Sequence, residues 1–244
     1  PPPPPPPPPP PATPPPPPAP STHPLSSAAS DVYKRQGAAI VGGHTTMGAE
    51  LQLGFTVTGL TQRPVTLAGA MPGDALILTR PIGSGTLLAA EMAGQADGDD
   101  IAALLNQMTR SQADIARLLA PVAHAMTDVT GFGLAGHAAR LAEASGVTVR
   151  IDPGAVPVYS GAEALAASGT RSSIWQANRA AVAGTFPDTG RTALMFDPQT
   201  AGGFLAALPD DQAASAVQSI IDMGHDAAII GSVHALEDQV VILE

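Results

Sequence analysis

Eighteen of the first 24 residues are proline. Proline has no amide donor and a fixed φ, so this stretch can join neither a helix nor a sheet ladder and is expected as solvated polyproline II. Residues 26–36 continue without helix or strand period and read as adapter-like sequence ahead of a reading frame. Residues 1–36 are therefore set aside as a disordered prefix, and the fold must be built from residue 37 onward. The competing explanation of the prefix is a proline-rich ligand for a partner domain.

Beyond the prefix, the 208 residues to Glu244 can bury one good core or two small ones. The whole chain carries 21 acidic against 11 basic side chains, a net charge of −10, and its one lysine, Lys34, lies in the prefix. Such a surface repels phosphate backbones and anionic headgroups, and 3% aromatic residues offer few stacking platforms. Nucleic-acid and membrane binding are disfavoured. Cysteine is absent, which removes disulfides, thiolate metal sites and a cysteine nucleophile from this chain. No apolar run approaches a membrane span and no signal-peptide pattern is present, so a cytoplasmic protein is expected.

Two periodicities alternate along the remainder. Leu51, Leu53, Phe55 and Val57 alternate with polar or small residues, the pattern of a half-buried strand over 51–58. After the Pro72-Gly73-Asp74 turn, the continuous apolar run from Ala75 to Thr79 suits a strand covered on both faces. Ile101, Leu104, Leu105, Met108, Ile115, Leu118 and Leu119 recur at helical spacing, predicting one long helix capped by Asp99 or Asp100 and stopped by Pro121. A strand (123–126), glycine loop, helix (134–145) and strand (147–151) then read as a crossover unit. Shorter helices are expected over 162–167 and 175–183, strands over 192–196 and 204–208, a helix over 210–223 closed by Gly224, and strands near 227–233 and 240–243. The fold class is α/β or α+β, a mixed sheet with packed helices.

Three segments carry candidate chemistry. Gly42-Gly43-His44-Thr45 lets backbone amides approach an anion, although glycine pairs also mark plain turns. The run from Met126 to His137, MTDVTGFGLAGH, contains a literal G-x-G-x-x-G at Gly131, Gly133 and Gly136. With Asp152 closing the following strand it meets most of a dinucleotide-binding fingerprint, hence an oxidoreductase alternative. Against that, a carboxylate at Asp128 would crowd a pyrophosphate unless a cation lay between, which suits Asp128 as a magnesium ligand shared with substrate phosphates. The third segment, FDPQTAGG from Phe196 to Gly203, reads first as a tight connection, with Asp197 in a turn. His124, His137, His225 and His234 show no ligand spacing and stay unassigned.

In this order the three segments resemble the selenide, water dikinases, selenophosphate synthetases of the superfamily that includes aminoimidazole ribonucleotide synthetase. Ala201 stands where that family is expected to have serine. The resemblance covers residues 37–244 and implies a remnant of an N-terminal ATP-binding domain over 37–69 and a C-terminal domain over 70–244. It implies ATP, selenide and water as substrates of a homodimeric, Mg²⁺-dependent enzyme, with Gly42, Gly43, His44 and Thr45 against ATP and Asp128 on the metal. The family's reactive cysteine or selenocysteine, its ATP-contacting lysine and its other aspartates have no counterpart here. A truncated chain, inactive alone, is the expectation.

Overall fold

The computed structural model describes residues 41–44, 49, 54 and 56–244. The chain divides into two compact units, Pro1–Phe55 and Thr56–Glu244. In the first, Val41, Gly42, Gly43 and His44 are exposed and outside regular structure. Half of the expected strand over 51–58 lies outside the described residues, and Gly54, Thr56, Val57 and Thr58 are exposed and not in a strand.

The second unit is built on six strands: β1 (Asp74–Leu78), β2 (Ala125–Asp128), β3 (Val147–Ile151), β4 (Phe204–Pro209), β5 (Ala228–Ala235) and β6 (Val241–Leu243). They form one sheet in the order β2-β4-β1-β5-β3-β6. Neighbours are antiparallel except β3 and β6. Its helices are α1 (Ser84–Met92), α2 (Gly98–Met108), α3 (Ala113–Leu119), α4 (Gly133–Ser145), α5 (Ala162–Ala167), α6 (Trp175–Ala181), α7 (Gly190–Leu194) and α8 (Asp210–Asp222).

Every residue of β1 is buried, and its side chains divide between two cores because successive side chains point to opposite faces. Leu76 and Leu78 join Leu87, Leu104, Leu134, Leu141 and Leu194 on one face. Ala75 and Ile77 join Ile115 and Leu119 of α3 and Ala213, Ala216 and Ile220 of α8 on the other. The uninterrupted apolar run therefore marks a central strand covered on both sides, as its composition predicts.

Two elements differ from the sequence pattern. The long helix is broken into α2 and α3, and its cap is Asp97, whose carboxylate accepts the Asp99 amide at 2.8 Å. The break lies where buried Arg80 donates to the Arg110 carbonyl at 3.0 Å and to the Ala201 carbonyl. At the same break the Thr109 hydroxyl donates to the Asn106 carbonyl at 2.9 Å and the Ser111 hydroxyl accepts the Ala113 amide at 3.2 Å, local side-chain bonds that close α2 and open α3. Residues 192–196 form no strand: α7 covers Gly190–Leu194, with the Thr189 hydroxyl accepting the Thr192 amide at 3.0 Å. The apolar run there is a buried short helix, which has no period to distinguish it from a strand.

A sheet open on one face would lose little when a side chain on that face is truncated. We expect Leu76→Ala and Ile77→Ala each to destabilise the protein by ~2–5 kcal/mol, measured by denaturant unfolding. A loss below ~1 kcal/mol for either would contradict the two-sided core.

Candidate functional site

Strand β2 is an edge of the sheet, and Asp128 is its last residue, opposite Phe204 of β4. Its side chain is exposed and, among the described residues, takes no hydrogen bond and no ion pair. It borders an open hollow of about 480 Å³ lined by residues 65–67, 126–128 and Phe204. The Met126 amide donates to the Thr66 carbonyl at 2.9 Å, which ties the 65–67 stretch beside the strand.

The loop after Asp128 is fixed from beneath by the segment 196–203. The Val129 amide donates to the Gly203 carbonyl at 2.8 Å, and the Gln199 amide donates to the Thr130 carbonyl at 2.9 Å. The Ala135 amide in the first turn of α4 donates to the Met195 carbonyl at 2.8 Å. Contact this close excludes side chains at two positions: a Cβ on Gly202 would fall 1.9 Å from the Val129 oxygen, and one on Gly133, at φ +72°, 2.8 Å from the Phe196 carbonyl carbon. Asn178 of α6 closes the arrangement, its Nδ2 donating to the carbonyls of Gly131 (2.8 Å) and Phe196 (3.1 Å).

Asp197 does not face the hollow. It is fully buried, accepting the Thr86 hydroxyl at 2.8 Å on Oδ1 and the Gln199 amide nitrogen at 3.1 Å on Oδ2. Burial raises its pKa, opposed by hydrogen bonds from Thr86, Gln199 and Gly85. The Gln199 side-chain oxygen accepts the Gly83 and Ser84 amides and the Ser84 hydroxyl at 3.0–3.2 Å. Together Asp197 and Gln199 cap α1, whose own N-cap residue, Gly83, has no side chain to do so. A structural turn role for Asp197 matches this placement. Ala201 has φ +50° and an exposed side chain; the turn uses its carbonyl, which Arg80 holds.

The dinucleotide alternative does not fit. Chaining the antiparallel pairings makes β2 and β3 parallel, but β4, β1 and β5 lie between them, so α4 crosses three strands instead of joining neighbours. The Asp152 carboxylate is engaged by the Gly154 amide at 2.7 Å in the turn after β3. Gly133 is spent on close packing against the Met195–Asp197 backbone.

His137, in the second turn of α4, is buried, and its Nε2 lies 3.0 Å from the Thr130 amide. A backbone amide only donates, so Nε2 is the acceptor, the ring is neutral and its proton is on Nδ1. Burial lowers its pKa; the Asp128 carboxylate opposes this and Arg140 reinforces it. Neither His137 nor Asn178 is legible as a loop-holder from sequence: an isolated Asn on a short helix gives no signal, while a histidine just after a Gly-rich loop is a weak one. Of the other expected site residues, Gly42, Gly43 and His44 are exposed in the first unit and Thr45 lies outside the described residues. Among the described residues no group of three or more His, Cys, Asp or Glu could hold a metal ion. Asp128 stands at the hollow as an exposed carboxylate outside any such group.

A sequence model of the family described as AIR synthase related protein, C-terminal domain, matches residues 71–244. Selenide, water dikinase 2 of Peptoclostridium acidaminophilum is 34% identical over 240 residues, covering 92% of this chain and 69% of its own. The chain belongs to the selenide, water dikinase family. The family's member from Geobacter metallireducens is 37% identical over 228 residues, with 90% of this chain and 66% of its own covered, so the chain spans about two thirds of the length of these relatives. Among solved structures, thiamine-monophosphate kinase from Stenotrophomonas maltophilia has a TM-score of 0.57 at 16% identity, covering 75% of this chain and 54% of its own. The E. coli hydrogenase maturation protein HypE gives 0.54 at 18%, covering 72% and 48%. These two show the fold. No helix among the described residues is long and apolar enough to cross a membrane.

A histidine whose folded pKa is depressed adds stability that is whole above the ordinary imidazole value of about 6.5 and is lost as pH falls through the folded value. The Thr130 amide should therefore lose hydrogen-exchange protection on the acid side. His137→Gln, which keeps an acceptor, should flatten that loss when the variant is compared with wild type across about pH 5 to 8. Identical acid-side profiles would show that the ring does not hold the loop.

Proposed function

We propose that this chain carries the C-terminal part of a selenophosphate synthetase, with its domain beginning near Ala70, and that the whole protein converts ATP, selenide and water to selenophosphate, AMP and phosphate. The observation that carries the reading is the Asp128 carboxylate: exposed, free of protein partners among the described residues and placed at a strand end whose following loop is fixed by buried hydrogen bonds. A bound Mg²⁺ would neutralise charge on the triphosphate and orient it for attack.

In this reading Asp128 supplies one oxygen ligand, and the clamped loop holds that carboxylate ready at little cost in reorganisation. Gly42, Gly43, His44 and Thr45 contact ATP through backbone and hydroxyl donors. The site is completed by carboxylates, a lysine and a thiol or selenol from elsewhere in a homodimeric enzyme. This chain has no cysteine, and its one lysine lies in the proline-rich prefix, so nothing in it is suited to handle selenide, and the 244 residues alone are inactive.

Two measurements test this. Incubation with ATP, Mg²⁺ and selenide, followed by ³¹P NMR, should give no selenophosphate; sustained turnover would contradict the incompleteness. Binding of Mg²⁺ with a non-hydrolysable ATP analogue should weaken about tenfold on Asp128→Asn, on the order of one charge-assisted contact, and be unchanged by Asp152→Ala. The opposite pattern would favour a dinucleotide site.

A further inference from the structure

We propose that Arg140 is a direct contact for a phosphate of the nucleotide whose cation Asp128 binds; the inference rests on the selenophosphate synthetase reading of the site. Nine arginines lie among the described residues, and eight are already engaged. Arg117, Arg150 and Arg191 pair with carboxylates. Arg63, Arg80, Arg171 and Arg179 donate to backbone carbonyls, and Arg110 donates to Gln107. Of these nine, Arg140 alone takes neither a carboxylate nor a hydrogen bond among the described residues, on a chain with nearly twice as many acidic as basic side chains.

It is nonetheless held in place. Its guanidinium carbon lies 4.1 Å from the centroid of the Phe132 ring, which is 48% exposed at the start of α4. Stacking covers one face of the guanidinium, narrows its rotamers and leaves the edge donors open, the disposition that suits bidentate phosphate binding. The position is also that of the Asp128 loop. Phe132 belongs to the loop itself, and its ring centroid lies 5.5 Å from that of His137, whose Nε2 accepts the Thr130 amide two residues after Asp128. A carboxylate that needs a cation and a guanidinium that needs an anion thus border the same short loop. A metal-bound polyphosphate satisfies both, whereas a bare cation would satisfy only Asp128.

The probe is inorganic tripolyphosphate, titrated into the ¹⁵N-labelled full chain once in EDTA and once with Mg²⁺, for wild type, Arg140→Gln, Arg140→Lys and Asp128→Asn. In wild type the Arg140 Nε–H and Phe132 amide resonances should shift in both series. Arg140→Gln should weaken binding about tenfold in both, and Arg140→Lys less, since it keeps the charge but not the planar stack. Asp128→Asn should weaken the Mg²⁺ series and strengthen the EDTA series. Equal binding by wild type and Arg140→Gln, or shifts confined to other arginines, overturns the inference. An Arg140 effect with no Asp128 effect upholds the phosphate contact and removes the cation reading, so the two failures are distinguishable.

Discussion

The structure depends on a buried turn. Between Phe196 and Gly203 the chain places an ionisable carboxyl, an amide side chain and several backbone groups where water does not reach, and each must find a partner inside. Gln199 resolves most of this by accepting three donors from the start of α1 while giving its own amide hydrogens to Asp197. An unmade bond to any of these groups would cost ~1–3 kcal/mol, so the turn has one satisfactory arrangement. The Asp128 loop inherits that rigidity, because the Val129 amide and Thr130 carbonyl are spent on the turn, the Gly131 carbonyl on Asn178 and the Thr130 amide on His137. The one carboxylate left over at the strand end is the group with chemistry to offer.

Arg80 extends the same constraint to the other side. Its guanidinium is buried and bonded to two carbonyls, one in the turn and one between α2 and α3. Burial lowers its pKa, and no carboxylate shares its charge by a direct bond among the described residues. A charge buried this way is worth its desolvation only if the carbonyls it joins would otherwise be unpaired. It fixes the turn against β1 and α3, so both cores bear on the position of the loop.

The parts of this that sequence reveals are those marked by length and by the residues that bound them. The short apolar runs from Ala75 and from Val147 follow turn glycines at Gly73 and Gly146, and the helix to Ser145 ends at that same Gly146. The broken helix and the helical Gly190–Leu194 are not legible, since the apolar spacing of 101–119 runs on across the break and burial hides the period of 190–194. At the site, the Asp128 motif is plain, whereas strand order decides between its two meanings. G-x-G-x-x-G after a strand fits either a phosphate loop or a packed turn, and only the three strands between β2 and β3 separate them. Asp-Pro alone marks Asp197 as a turn residue, but that it caps a helix more than 100 residues earlier comes only from the fold.

If the free carboxylate at the end of β2 is a cation ligand for a nucleotide, held ready by the turn beneath it, the cation itself can be located. Paramagnetic broadening by Mn²⁺ with a non-hydrolysable ATP analogue does so on the labelled chain. The amides of residues 127–132 should broaden first and recover in Asp128→Asn. Broadening that begins instead at the paired acidic residues opening α2 or α8, or that persists around the loop in Asp128→Asn, would contradict the account.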